Sequence, residues 1–145
     1  MKNIFRMFVL VCSMVAILVS CNSEQKDPLK TLSSKVWKLD SFAGEKADSL
    51  SFANGMPYLE FDKEKMHVSG FSGCNRLMGG FTVGEDHRIN LDKLASTKMA
   101  CMGVNKETDF LAALSKADHY KVKDRTLQLR SGDEELMTFV PKEDQ

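Results

Sequence analysis

From residue 36 onward, apolar and polar positions alternate with a period of two in a series of short runs. That is the pattern of strands with one face buried. In residues 36–42, Trp37, Leu39 and Ser41 fall on one side and Val36, Lys38, Asp40 and Phe42 on the other. Residues 58–62 pair Leu59 with Phe61, and residues 65–71 set Met66 and Val68 opposite His67, Ser69 and Phe71. A hairpin is predicted from residues 80–83 and 88–91 across 84–87, followed by an extended segment at 95–101. Three strands close the chain at 119–122, 126–130 and 135–140. The period changes once. Phe110, Leu111, Leu114 and Ala117 form a helical stripe, with Asn105 as its cap and Glu107 and Asp109 favoured in its first turn by the helix dipole. Many short strands and one helix predict a mainly β fold. The expected form is a small, curved or partly open antiparallel β-barrel of lipocalin-like topology, with the helix covering an open edge or end.

The first residues follow a different pattern. Lys2 and Arg6 precede an apolar run from Met7 to Val19, interrupted only by Ser13, and Leu18-Val19-Ser20-Cys21 follows. Thirteen residues are too few for a membrane-spanning helix, which needs about 20. The run reads as a signal peptide over residues 1–20, and its end resembles a bacterial lipobox with Cys21 as the acylated residue. Residues 21–34 are polar, contain Pro28 and read as a flexible tether. Asn22 is not the aspartate that holds many lipoproteins at the inner membrane. The expected location is therefore the outer membrane, facing the periplasm or the cell surface. The membrane is the expected partner through this anchor.

Of the four cysteines, Cys12 leaves with the signal peptide and Cys21 carries lipid. Cys74 and Cys101 remain, an even pair in an oxidising compartment. The simplest reading is a disulfide worth roughly 3–4 kcal/mol. Two rival readings stay open: a pair of free buried thiols, and a zinc site formed with His67 and His87. Residues 70–101 also hold Gly70, Gly73, Gly79, Gly80 and Gly84, five of the nine glycines, which marks tight turns or close backbone packing there.

Composition changes the picture only by exclusion. With 43% apolar and 28% charged residues the chain is neither disordered nor a membrane bundle. Twenty basic and twenty acidic residues cancel, so no overall field attracts nucleic acid.

At residues 70–75 and 97–101 a specific resemblance emerges. The early Trp37 and Leu39, then Phe61, then Gly70, Gly73, Cys74 and Asn75, then Gly79 and Phe81 follow a family pattern. Thr97, Met99 and Cys101 continue it, then Glu107, Phe110 and Leu114, and finally Leu127, Leu129, Leu136 and Phe139. The chain resembles the META domain family, which includes HslJ-type bacterial heat-shock proteins, over residues 35–141, with 142–145 as a tail. The resemblance implies a small curved antiparallel barrel with one helix, and an association with membranes and stress. It implies no catalytic residue.

No other chemistry is legible. Gly70-Phe71-Ser72-Gly73-Cys74 approaches a nucleophile elbow but ends in cysteine and lacks the strand-to-helix setting. Gly79-Gly80 lacks the helix and lysine of a phosphate loop. The sequence thus predicts a monomeric, non-catalytic, lipid-anchored envelope module without metal or cofactor. Its expected partner is an envelope protein, a peptide or a lipid. The alternatives are an enzyme with an unrecognised site and a carrier of a small apolar ligand.

Overall fold

Alternation builds the first strand of the sheet, and a bulge redirects it. The computed structural model describes residues 27–91 and 93–143; the signal peptide expected at residues 1–20, Cys21 and Asn22 lie outside the described residues. In β1 (Val36–Phe42), Trp37 and Leu39 are buried and Lys38 is exposed. Leu39 pairs with Phe139, but Ser41 pairs with Thr138, so Asp40 is an extra residue. One extra residue inverts the alternation. Phe42, not Ser41, therefore joins the core, where its ring lies 6.3 Å from Phe110 and 6.5 Å from Phe52.

Along the chain follow β2 (Glu45–Lys46), β3 (Tyr58–Asp62), β4 (His67–Phe71), β5 (Arg76–Gly80), β6 (Thr82–Val83), β7 (Ile89–Asn90) and β8 (Leu94–Ser96). After them come β9 (His119–Lys123), β10 (Thr126–Ser131) and β11 (Glu134–Pro141). Eight of these strands form one antiparallel sheet in the order β8-β5-β4-β3-β1-β11-β10-β9, with β2 paired to β1. β6 and β7 form a separate ribbon. A bridge between Arg88 and His119 and a hydrogen bond from Ile89 N to Asp118 O (2.9 Å) tie that ribbon to the β9 edge. The large sheet does not close on itself, so the fold is a partly open, barrel-like structure, as the alternation predicts.

The helix α2 (Glu107–Lys116) buries Phe110 and Leu114. Phe110 meets Phe52 and Phe139 edge-on at 6.3 and 6.5 Å. Its cap is shared. Lys106 is the first residue outside the helix, yet the Asn105 side chain accepts the Glu107 N–H at 2.7 Å. Asn105 thus does the work the sequence assigns it.

Several expectations need correction. Residues 27–34 are not a tether: α1 (Pro28–Leu32) is a short helix capped by Asp27, and Leu32 is fully buried. Its carbonyl accepts the Trp37 Nε1 proton at 2.7 Å, which satisfies the one polar atom of a buried indole. The folded unit therefore begins before residue 35. It also runs past 141, since Lys142 N donates to Val36 O at 2.7 Å. The expected hairpin is present, Thr82 pairing with Asn90 and Val83 with Ile89. Its first arm starts later than residue 80, because Gly80 closes β5, an unpredicted strand that pairs with β4 on one side and β8 on the other. Residues 63–66 form the turn before β4, with Met66 at φ +48. The strand expected at 95–101 ends at Ser96.

Candidate functional site

Two places in the fold bring polar side chains together. The first is the turn between β4 and β5, residues 72–75. Gly73 adopts φ +105, and a Cβ there would stand 2.5 Å from the ring of the buried Phe52. Only glycine meets both conditions. The turn then presents Cys74 to the segment after β8, where it is bonded to Cys101 with the two Cα atoms 5.8 Å apart. The pair is a disulfide, so the free-thiol and zinc readings fall. His67 sits on β4 and His87 in the turn before β7, its ring 5.6 Å from that of Tyr120.

Asn75 is 4% exposed and spends its whole amide on this corner. Its Oδ1 accepts from Met99 N at 2.7 Å and from Thr97 Oγ1 at 2.8 Å. Its Nδ2 donates to Glu107 Oε2 at 2.8 Å. Thr97 Oγ1 in turn accepts from Arg76 N at 3.1 Å. The other Glu107 oxygen accepts from Asn75 N at 2.8 Å and from the hydroxyl of fully buried Ser72. Glu107 opens α2, where the helix dipole favours a carboxylate. Asn105 Nδ2 completes the corner by donating to Gly73 O at 2.9 Å.

These contacts join the turn to the 97–107 stretch, including the start of α2, and Asn105 Nδ2, which also lies 3.2 Å from Asn54 Oδ1, ties in the loop carrying Phe52. Among the described residues, potential metal-ligating atoms converge only at Cys74, Cys101 and Glu107, within 4.8 Å of one another. Both sulfurs are consumed by the disulfide, which leaves one carboxylate already holding three donors. Chemically this corner is a clamp. The sequence reading missed Ser72 and Glu107 as members of it. The signal was a serine inside a glycine-rich turn and an acid at a helix start.

The second place lies where β1 begins. A cavity of about 840 Å³ opens between α1, β9, β10 and the turn at 85–87. Trp37 and Tyr120 form its inner wall, and Lys35, His87, His119 and Arg130 stand around it. His119 Nδ1 lies 2.7 Å from Asp118 Oδ1, and Gly132 N donates to the same oxygen at 2.9 Å. These contacts, His119 first, hold the Asp118 carboxyl below its ordinary range. Burial, followed by the nearby negative charge of Asp27, pushes the Tyr120 hydroxyl up. No pattern along the chain pointed to this cavity, because α1, which forms one wall, read as tether.

A family model for the META domain matches residues 30–144. The chain belongs to the META domain family. The matched span begins inside α1, in accord with the burial of Leu32. Among solved structures, an NMR structure of a protein from Burkholderia xenovorans is similar at 30% identity and a TM-score of 0.62, covering 81% of this chain and 90% of the other. A second NMR structure matches at 21% identity and a TM-score of 0.59, covering 77% of this chain and 93% of the other. The crystal structure of a DUF4847 family protein from Bacteroides vulgatus matches at 16% identity and a TM-score of 0.56, covering 79% and 96%. The latter two likenesses concern the fold alone. No curated protein matches the chain.

Proposed function

We propose that this META domain protein is an exported lipoprotein, acylated at Cys21 and held at the outer membrane on the periplasmic or surface side. It serves there as a monomeric, non-catalytic binding module, with a role in the envelope's response to stress. Its partner is an envelope protein, a peptide or a lipid, not a nucleic acid. The observation that carries the binding reading is the cavity beside α1, whose volume of about 840 Å³ falls within the usual range of ligand sites, roughly 300–1,000 Å³. The Gly-Cys-Asn and Thr-x-Met-x-Cys residues are spent elsewhere, on the clamp, and of the family pattern Trp37 alone lines the cavity. The cavity wall begins at Pro28, seven residues after Cys21. An extended link of that length reaches about 25 Å at most, so an acylated chain would keep the cavity close to the bilayer.

The test has two arms. Metabolic labelling with a fatty-acid analogue should mark the protein and lose the mark in Cys21→Ala; label that persists in the variant refutes the anchor. Crosslinking in intact cells, followed by mass spectrometry, should enrich a partner or lipid over an unrelated lipidated domain. No enrichment refutes the binding role.

The cavity also favours a second reading, that of a carrier for a small ligand.

A further inference from the structure

The geometry points to an anionic amphiphile as the occupant of the cavity: a carboxylate or phosphate head on an apolar chain. This deepens the binding reading and rests on it, but does not depend on the lipid anchor. Pro28 and Val122 give the cavity its accessible apolar surface, and Trp37 and Tyr120, 0% and 5% exposed, lie directly behind it as its floor. Such a surface takes a hydrocarbon chain by excluding water from both.

The rim has the opposite character. Lys35, Lys121, Lys123, Arg125 and Arg130 line the cavity, against only Asp86 and Asp124. Asp124 faces Lys123 at 3.8 Å, which leaves one acid to balance four bases. The whole chain carries equal numbers of basic and acidic residues, so this excess is local. Of the acids just outside the lining, Asp118 is engaged by His119 and Gly132 N, while Asp27 and Asp133 keep solvent-exposed carboxylates; Arg130 Nη2 donates to the backbone carbonyl of Asp133 at 2.6 Å. That last bond holds the Arg130 guanidinium in place, while its Nε is buried and makes no hydrogen bond among the described residues. A planar guanidinium with unspent donors is suited to a carboxylate or phosphate. Concavity separates this ligand from a flat membrane surface.

Trp37 is the only tryptophan and lies in the wall, so it reports on occupancy directly. The complete chain is expressed, and the purified product is mixed with phosphatidylcholine vesicles and titrated with dansyl-undecanoate. Energy transfer from Trp37 to dansyl should rise and saturate. Decanoate and decyl phosphate should reverse it, whereas decyltrimethylammonium and inorganic phosphate at the same concentration should not. Reversing the rim charge with Lys35→Glu and Lys121→Glu should weaken the transfer by roughly tenfold or more. Lys63→Glu, on the turn before β4, should leave it unchanged, and circular dichroism checks that each variant is folded. Absence of saturable transfer overturns the proposal. So does equal competition by the cationic amphiphile or by phosphate alone, or unchanged affinity in folded charge-reversed variants. If the titration fails while crosslinking in cells still enriches a partner, the ligand assignment falls and the binding role stands.

Discussion

Truncating Asn75 to alanine tests the clamp most directly. The substitution removes three well-formed hydrogen bonds: from Met99 N (2.7 Å), from Thr97 Oγ1 (2.8 Å), and to Glu107 Oε2 (2.8 Å). The first two are neutral and worth about 0.5–1.5 kcal/mol each; the third involves a charged group and is worth about 1.5–3. Their simple sum, roughly 2.5–6 kcal/mol, is an upper bound. Met99 and Thr97 are exposed, so water replaces part of what they lose. Glu107 keeps its bonds to Asn75 N and Ser72 through the other oxygen. We therefore expect a net loss of about 2–3 kcal/mol. For a domain of this size that corresponds to a fall in melting temperature of roughly 10–15 °C. Thermal denaturation followed by circular dichroism, with the disulfide intact, measures it. Thr97→Val removes one of the three bonds together with the one that Thr97 Oγ1 accepts from Arg76 N; both are neutral and exposed, so it should cost about 1 kcal/mol, less than Asn75→Ala. A fall below about 3 °C for Asn75→Ala, or equal losses for the two variants, would show that the amide does not hold the corner.

Further expectations follow from the same contacts. Cys74→Ser with Cys101→Ser opens a loop spanning 27 positions and should cost roughly 3–4 kcal/mol by the chain-entropy model, read from denaturant midpoints. Intact mass before and after alkylation should show no free thiol at these two positions in the unreduced protein. Gly70→Ala puts a Cβ 2.1 Å from the Tyr58 carbonyl oxygen, a backbone atom that cannot turn aside. It should lower folded yield in a solubility assay, while Gly44→Ala, in open space but at φ +81, should cost only about 1 kcal/mol. Asp118 has its pKa held below the ordinary 3.8, chiefly by His119 and then by Gly132 N. A depressed carboxyl adds stability above its unfolded value and loses it as pH falls through the folded value. Asp118→Asn should therefore destabilise at pH 7, and its gap to the parent should narrow as pH falls below the ordinary carboxyl range; a gap of constant size would refute this.

How much of this was legible depends on the length over which a pattern repeats. Strands Val36–Phe42 and Tyr58–Asp62 match their sequence reading at both ends, because period two runs unbroken up to a turn. Pairing geometry is not written in one strand. The bulge at Asp40 is a property of β1 against β11, and it moves Phe42 into the core where alternation put Ser41. β5 was missed because Gly79 carries no alternation and Gly80 was read as the first residue of the following hairpin arm. Phe52, 1% exposed, lies in a polar connection with no periodicity, and its burial comes from tertiary neighbours, the rings of Phe42 and Phe110 and the turn at Gly73. α1 is five residues long, too short for a helical stripe, and its single core side chain gave no pattern. The motif Gly-Cys-Asn and the Thr-x-Met-x-Cys segment identified the right corner. The residue linking them to the helix, Glu107, was read only as a favourable charge at a helix start.

The arrangement separates two tasks along β1. Its last residue, Phe42, meets Phe52 and Phe110, beside the clamp; near its first, Trp37 forms the cavity wall. Five residue steps of strand put these ends about 17 Å apart. Sites farther apart than about 7–10 Å with no shared partner act independently. Asn75 bonds Thr97, Met99 and Glu107, none of which lines the cavity, and Lys121 takes no part in the clamp. Asn75→Ala should therefore lower the melting temperature and leave amphiphile affinity unchanged at temperatures where the variant is folded. Lys121→Glu should do the reverse, and the double variant should show both effects added. Titration of the four proteins at 15 °C decides it. A loss of affinity in folded Asn75→Ala comparable to that in Lys121→Glu would mean that the clamp shapes the cavity, and that the family motif belongs to the binding site after all.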